Sequence, residues 1–124
     1  VIIVKKVKNE FAKVQRATQQ DVADLLYQEA EVIMTASKRY YVPVVTGALR
    51  NSGTVLRPVI TDDSITVTLG FGGDAAPYAA IVHEYPKSYG QGRNKYLSIP
   101  LNISVKGMAN RIAKALERKM RGRP

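Results

Sequence analysis

The run from Val42 to Glu84 is the part of this 124-residue chain that no long helix can carry. Pro43, Gly47, Gly53, Pro58, Gly70, Gly72, Gly73 and Pro77 punctuate it. Proline removes a backbone donor and fixes φ, and glycine loosens the chain, so sustained helix is excluded. Within the run, Ile65, Val67 and Leu69 alternate with Thr66 and Thr68, the period of two that marks a half-buried strand. On both sides the apolar residues return to steps of three and four. A sheet-forming centre between two amphipathic helices confines the chain to an α+β fold. The length fits one domain, residues 1–124, and supports one core.

Taken in order, Val1 to Lys8 reads as an edge strand or a loose arm. Asn9 is placed to cap a helix from about Glu10. Phe11, Val14, Thr18, Val22, Leu25, Glu29, Val32, Ala36 and Tyr40 form its stripe, widened by Leu26 and Ile33. That helix runs about thirty residues until Pro43 pushes Val42 out of helical geometry. Thr46 then caps a single turn entered through Gly47, and Gly53 ends it. Thr54 to Ile60 reads as a strand, at an edge or bulged because Pro58 cannot donate to a ladder. Thr61 to Ser64 turns it into the Ile65–Leu69 strand as a hairpin. Asp74 caps a short helix from Ala75 to Glu84, with Pro77 in its first turn. Lys87 to Lys95 is a polar, glycine-rich basic loop, and Tyr96 to Leu101 reads as a last strand. Ser104 opens a final helix whose stripe is Val105, Met108, Ala109, Ile112, Ala115, Leu116 and Met120. Lys106, Arg111, Lys114 and Arg118 lie mostly on its other side. The expected architecture is a mostly antiparallel sheet of about four strands, packed by the long N-terminal helix and the C-terminal helix.

Charge narrows the partners. The net charge is +9, and it sits at the ends: residues 1–16 carry five Lys/Arg against one Glu, and residues 106–124 carry seven against one. Residues 17–41 carry two basic and four acidic side chains. Such a balance suits a polyanion, a subunit with acidic neighbours, or a plain solvated surface. Tyr85, Tyr89 and Tyr96 interleave with Lys87, Arg93 and Lys95, a mixture that suits stacking with phosphate contact or a protein interface. No apolar run nears the roughly 18 residues that cross a bilayer, and Val1 to Val4 is too short for a signal-peptide core.

Catalytic chemistry is thinly represented. There is no cysteine and one histidine, so neither disulfide nor zinc site is expected. His83 and Glu84 are adjacent, and neighbours on a helix diverge by about 100°, which argues against a working pair. Ser52 and Ser98 have no evident base. Asp62 and Asp63 fit a turn better than a metal site. The Gly70–Gly73 run lacks the residues of a phosphate-binding loop, and Gly90 to Arg93 is as much a plain loop as a phosphate contact. No catalytic residue, cofactor or metal is expected.

Two segments together carry a resemblance. Val45-Thr46-Gly47-Ala48-Leu49-Arg50-Asn51-Ser52 resembles the D-T-G-x-L-R-x-S segment of the tail-completion proteins of long-tailed bacteriophages, the head-to-tail joining or minor capsid family. Ala76-Pro77-Tyr78-Ala79-Ala80-Ile81-Val82-His83-Glu84 is similar to that family's A-P-Y-A-x-x-V-E-x-G segment. The order of elements between and after them is also similar, over about residues 10–120. Val45 stands where the family often has Asp, Tyr85-Pro86 replaces a glycine turn, and Tyr96 to Pro100 is less basic than the family's segment.

The resemblance implies a structural virion protein of the phage neck, assembled in the host cytoplasm. It would form a homo-oligomeric ring, commonly six-fold, that joins the head connector to the tail. Adaptor or stopper proteins, the tail terminator or tube, and passing double-stranded DNA without sequence specificity would be its partners. Thr46, Gly47, Leu49, Arg50, Pro77, Tyr78, Val82 and Glu84 would hold the fold or the subunit contact. Lys87, Tyr89, Arg93, Lys95, Arg118 and Arg121 would reach the neighbouring ring or the DNA channel. The residues alone also admit a sequence-nonspecific nucleic-acid-binding module and, behind it, a small hydrolase.

Overall fold

The computed structural model describes residues 3–9, 19–43, 47–62, 64–73, 76, 78–84 and 95–121, with the backbone alone for 3–9. The alternating segment is its centre. Strand β4 (Ile65–Phe71) has a partner on each side, all antiparallel. Strand β1 (Ile3–Asn9) follows its whole length, Ile3 opposite Phe71 and Asn9 opposite Ile65. The other edge is shared by β2 (Thr54–Val55) and β3 (Val59–Ile60).

Those two short pieces are one edge strand cut by a bulge. Val55 faces Leu69 and Val59 faces Thr66, so three residues, Leu56 to Pro58, oppose two. Leu56 still donates to the Thr68 carbonyl at 2.8 Å, and the ladder breaks after it, where Pro58 has no N–H to give. Both sequence expectations for Pro58, edge and bulge, are met. The sheet thus holds four strand segments in three rows. The hairpin turn is held by the Thr61 amide on the Ser64 carbonyl at 2.8 Å and by the two side-chain hydroxyls at 3.0 Å.

Ile65, Val67, Leu69 and Phe71 turn their side chains into the core, and Thr66 and Thr68 are half-buried on the other face. Helix α1 (Gln19–Ala36) crosses the buried face. It presents Val22, Ala23, Leu26, Ala30 and Ile33, all essentially dry. Each fully buried Val, Leu, Ile or Phe contributes about 1.5–3 kcal/mol, and the two alanines let helix and sheet approach closely. This corrects the expected stripe. Val32 and Tyr40, assigned to the core by periodicity, are 63% and 67% exposed. The helix is apolar on two faces, and the sheet takes the one with small residues. The part of the expected helix before Gln19 lies outside the described residues.

The end of α1 widens into a π-helical turn, Ser37–Tyr41, closed by the Val42 amide on the Ser37 carbonyl at 2.9 Å. Val42 is already extended, at ψ 127°, as a residue before proline must be. Gly47, at φ 84°, enters the one-turn helix α2 (Ala48–Asn51), and Leu49 drops into the core. Thr46 lies outside the described residues. Gly53 ends α2 but also does more than the sequence indicates. A Cβ there would sit 2.7 Å from Phe71 and from Lys38, and 2.8 Å from Met34.

Three helices follow: α3 (Ala79–Glu84), α4 (Ser98–Val105) and α5 (Met108–Arg121). The described part of α3 begins at Ala79, and Ala76 lies in the turn before it. The Asp74 cap, Ala75 and Pro77 lie outside the described residues. The expected strand Tyr96–Leu101 is instead the entry to α4. Pro100 is tolerated in a first helical turn, where its missing N–H is no loss, and Leu97 and Leu101 stack one turn apart with both buried. Ser104 lies inside α4 and caps nothing. The break comes at Lys106, which is extended, and Gly107, at φ 82°. Helix α5 lies against α1 and α4 and buries Met108, Ile112 and Leu116. Val105 and Ala109 of its expected stripe are exposed. No described helix is long and apolar enough to cross a membrane.

Candidate functional site

The entry of α4 needs partners for its first amides, and His83 supplies one. The Ser98 amide lies 3.3 Å from His83 Nε2, the Ile99 amide donates to the Lys95 carbonyl at 2.9 Å, Pro100 has none, and the Leu101 amide donates to the Leu97 carbonyl at 3.1 Å. An N–H only donates, so Nε2 is the acceptor and the ring proton resides on Nδ1. Nδ1 lies 2.8 Å from Glu84 Oε1, and the other carboxylate oxygen is bound by Lys95 Nζ. The Lys95 amide donates to the His83 carbonyl at 2.7 Å. That anchors Lys95 in the left-handed region at φ 56°, a conformation costly for a side-chain-bearing residue.

The expected divergence of His83 and Glu84 is therefore corrected. Their Cβ directions do diverge, but Glu84 is the last residue of α3 and its three side-chain torsions fold the carboxylate back. Lys95 first, then His83, hold the Glu84 carboxyl down to about 2. The statement that Ser98 has no base is corrected as well, since Ser98 Oγ stands 3.3 Å from Nε2. The order Ser98, His83, Glu84 matches a hydrolytic triad, but the setting does not. The imidazole is fully buried and an amide already occupies its acceptor.

Tyr96 completes the cluster. Its ring stands edge-on to His83 at 4.9 Å and to Phe71 at 5.0 Å, and its hydroxyl donates to the Ala79 carbonyl at 2.8 Å. Its own carbonyl accepts the Ser37 hydroxyl at 2.6 Å. Tyr96 is fully buried, so it is removed from the tyrosines expected to stack on bases. Tyr85, Tyr89, Lys87 and Arg93 lie outside the described residues. The cluster ties α3, α4, the end of α1 and the sheet to one another.

The remaining expected contact residues scatter. Gly47 is half-buried, Leu49 is core and Arg50 is exposed. Next to them Ser52 Oγ accepts the Gly72 amide at 3.0 Å and donates to the Leu49 carbonyl at 2.6 Å, which pins α2 to the end of β4. Tyr78 is exposed and Val82 half-buried. Glu84 and Lys95, expected in separate roles, are bound to each other. Arg118 and Arg121 are exposed on α5.

The described residues form three grooves at the surface. One, of about 440 Å³, runs between α1 and α4 and is lined by Val32, Ala36, Tyr40, Tyr41, Pro100 and Ile103 among others. Ile103 is 58% exposed, so the groove is open and apolar. A second, of about 550 Å³, lies beside the bulged edge and joins Asp24, Tyr27, Arg57, Pro58 and Lys119. Glu31 accepts the Tyr27 hydroxyl there and raises its pKa. Leu56, Val59 and Ile60 project from that same edge. A third, of about 280 Å³, separates α1 from α5 and is flanked by Arg111, Lys114 and Arg118. Arg111 is held by Glu29, Nη2 to Oε1 at 2.6 Å, and by the Ser104 carbonyl at 2.7 Å. Among the described residues no group of three His, Cys, Asp or Glu stands together as metal ligands. Sequence reasoning missed the groove between α1 and α4 because Val32, Ala36 and Tyr40 were assigned to the core; Glu29 in the middle of that stripe was the available signal. No family model, no curated protein and no solved structure matches this chain.

Proposed function

We propose that this chain is a structural subunit that closes into a ring with copies of itself, in the manner of the phage head-to-tail joining proteins its central segments resemble. In that role it sits at the virion neck, between connector and tail, around the path of the DNA. It holds no reactive centre, and the His83 cluster braces the fold.

One observation carries this: the chain exposes an apolar groove at one end of α1 and, apart from it, apolar side chains along the bulged sheet edge. The groove of Val32, Ala36, Tyr40 and Ile103 is at one end. On the bulged edge Leu56, Val59 and Ile60 are exposed, Val59 opposite Thr66 on the outer face and Ile60 opposite Ile65 on the face of α1, next to the largely polar groove of Asp24, Tyr27 and Arg57. Twelve residues of helix separate Asp24 from Ala36, roughly 18 Å at 1.5 Å per residue. The contiguous apolar groove of Val32, Ala36, Tyr40 and Ile103 marks a contact site on so small a protein. Two different surfaces that meet each other, one copy to the next, give a heterologous contact, and such contacts close into rings when the rotation divides the circle. Pro58 and the bulge keep that edge from simply adding strands of another chain, which leaves its side chains as the contact.

Sedimentation and negative-stain electron microscopy of the concentrated chain test the assembly. Closed rings are expected, and a Val32→Glu, Ile103→Lys double variant gives monomers with an unchanged circular dichroism spectrum. Monomers from the parent at all concentrations would remove the ring from consideration.

A further inference from the structure

We propose that the exposed side of α5 is a sequence-blind binding strip for the phosphate backbone of duplex DNA. At 100° per residue, Arg111, Lys114, Arg118 and Arg121 fall within an arc of about 80°, beside the buried side of Met108, Ile112 and Leu116. Glu29 neutralises Arg111. Lys114, Arg118 and Arg121 are exposed and have no ion pair or hydrogen bond among the described residues. Glu117 stands about 40° outside one end of the arc, and Lys119 lies about 80° past the other, where it lines the groove with Arg57.

The spacing matches a duplex. Lys114 to Arg121 spans seven residues, roughly 10 Å of helix axis. One DNA strand presents a charge about every 3.4 Å of its axis, so three cations over that distance meet about three phosphates. Helix-dipole compensation explains cations in a last turn on any side of the helix, but not Lys114 a turn earlier on the same side as Arg118 and Arg121. No aromatic residue lies on α5, so the strip lacks the stacking platform that single strands require. Nothing on it reads base edges. Its placement on the channel wall rests on the ring proposed above; its affinity for a duplex does not.

The test is a binding titration of the full chain against two 30-base-pair duplexes of unrelated sequence, across salt. Both duplexes bind alike. Lys114→Gln, Arg118→Gln, Arg121→Gln lowers the slope of log affinity against log salt by about 2.7 per bound chain, at roughly 0.9 for each phosphate contact. Arg118→Gln alone lowers it by about 0.9. A control set elsewhere, Lys38→Gln, Arg50→Gln, Lys106→Gln, leaves the slope as it was. Strip and control variants of equal slope would overturn the proposal, as would a parent that fails to bind at low salt or prefers one sequence. Ring formation by the triple variant is scored separately in the microscope. A parent that stays monomeric while the variant loses the slope would sink the ring and keep the strip; a parent that forms rings and binds no duplex would do the reverse.

Discussion

Replacing His83 with alanine separates a brace from a catalyst. The substitution leaves the Ser98 amide without its 3.3 Å acceptor and takes away the ring that stands edge-on to Tyr96 at 4.9 Å. A buried donor left unpaired costs about 1–3 kcal/mol, and an aromatic edge-to-face pair is worth about 0.5–1.5 kcal/mol beyond its area. Together the loss is about 3 kcal/mol. Unfolding entropy near 2.1 cal/mol/K per residue gives about 0.26 kcal/mol/K for this length, so the melting temperature falls by roughly 11 °C. Urea unfolding followed by circular dichroism measures it: the midpoint drops and the slope with denaturant stays put. His83→Gln keeps an acceptor within reach and recovers part of the loss. An alanine variant within 0.5 kcal/mol of the parent would show that the imidazole braces nothing, and the order Ser98, His83, Glu84 would then need a chemical explanation.

Gly53→Ala drives a methyl to 2.7 Å from Phe71, which is packed against Tyr96 and cannot yield as Lys38 and Met34 can. It costs about 1–3 kcal/mol in thermal or urea unfolding, and a neutral result would mean the sheet opens there at no cost. The Glu84 carboxyl, held down to about 2, gives an acid limb. Its stabilising contribution is complete above the ordinary carboxylate value and is lost as pH falls from there towards 2. Glu84→Gln flattens that limb in melting experiments between pH 5 and 2, and an unchanged limb would assign it to other carboxylates.

The parts of the fold written in local chemistry were legible. The alternation of Ile65, Val67 and Leu69 placed the central strand, Pro58 placed both the edge and the bulge, and Pro43 placed the end of α1. What failed was choice between two locally equal answers. Tyr96 to Leu101 is six residues long, and Pro100 is lawful both near the end of a strand and in the first turn of a helix. Only the absence of glycine or a further proline from Asn102 to Val105 favoured the helix. The His83 to Ser98 contact spans fifteen residues and depends on how α3 and α4 meet, so no spacing announces it.

Helix α1 poses the same choice in its sharpest form, and the outcome bears on function. Two stripes satisfy the helical period: Val22, Leu26, Ala30 and Ile33, and Glu29, Val32, Ala36 and Tyr40. Periodicity ranks them alike, but burial does not. A sheet face four residues deep in Ile, Val, Leu and Phe excludes water, and a carboxylate in the stripe against it would have to be desolvated. Alanines at the matching positions cost nothing and shorten the approach. The stripe with Glu29 is therefore left at the surface, where Arg111 bonds the carboxylate and Val32, Ala36 and Tyr40 form an apolar wall beside Ile103. A helix that only covered a sheet would have no use for a second apolar stripe, which costs solubility and adds nothing to a monomer's core. Its presence on α1 is the physical reason to look for a second copy of this chain.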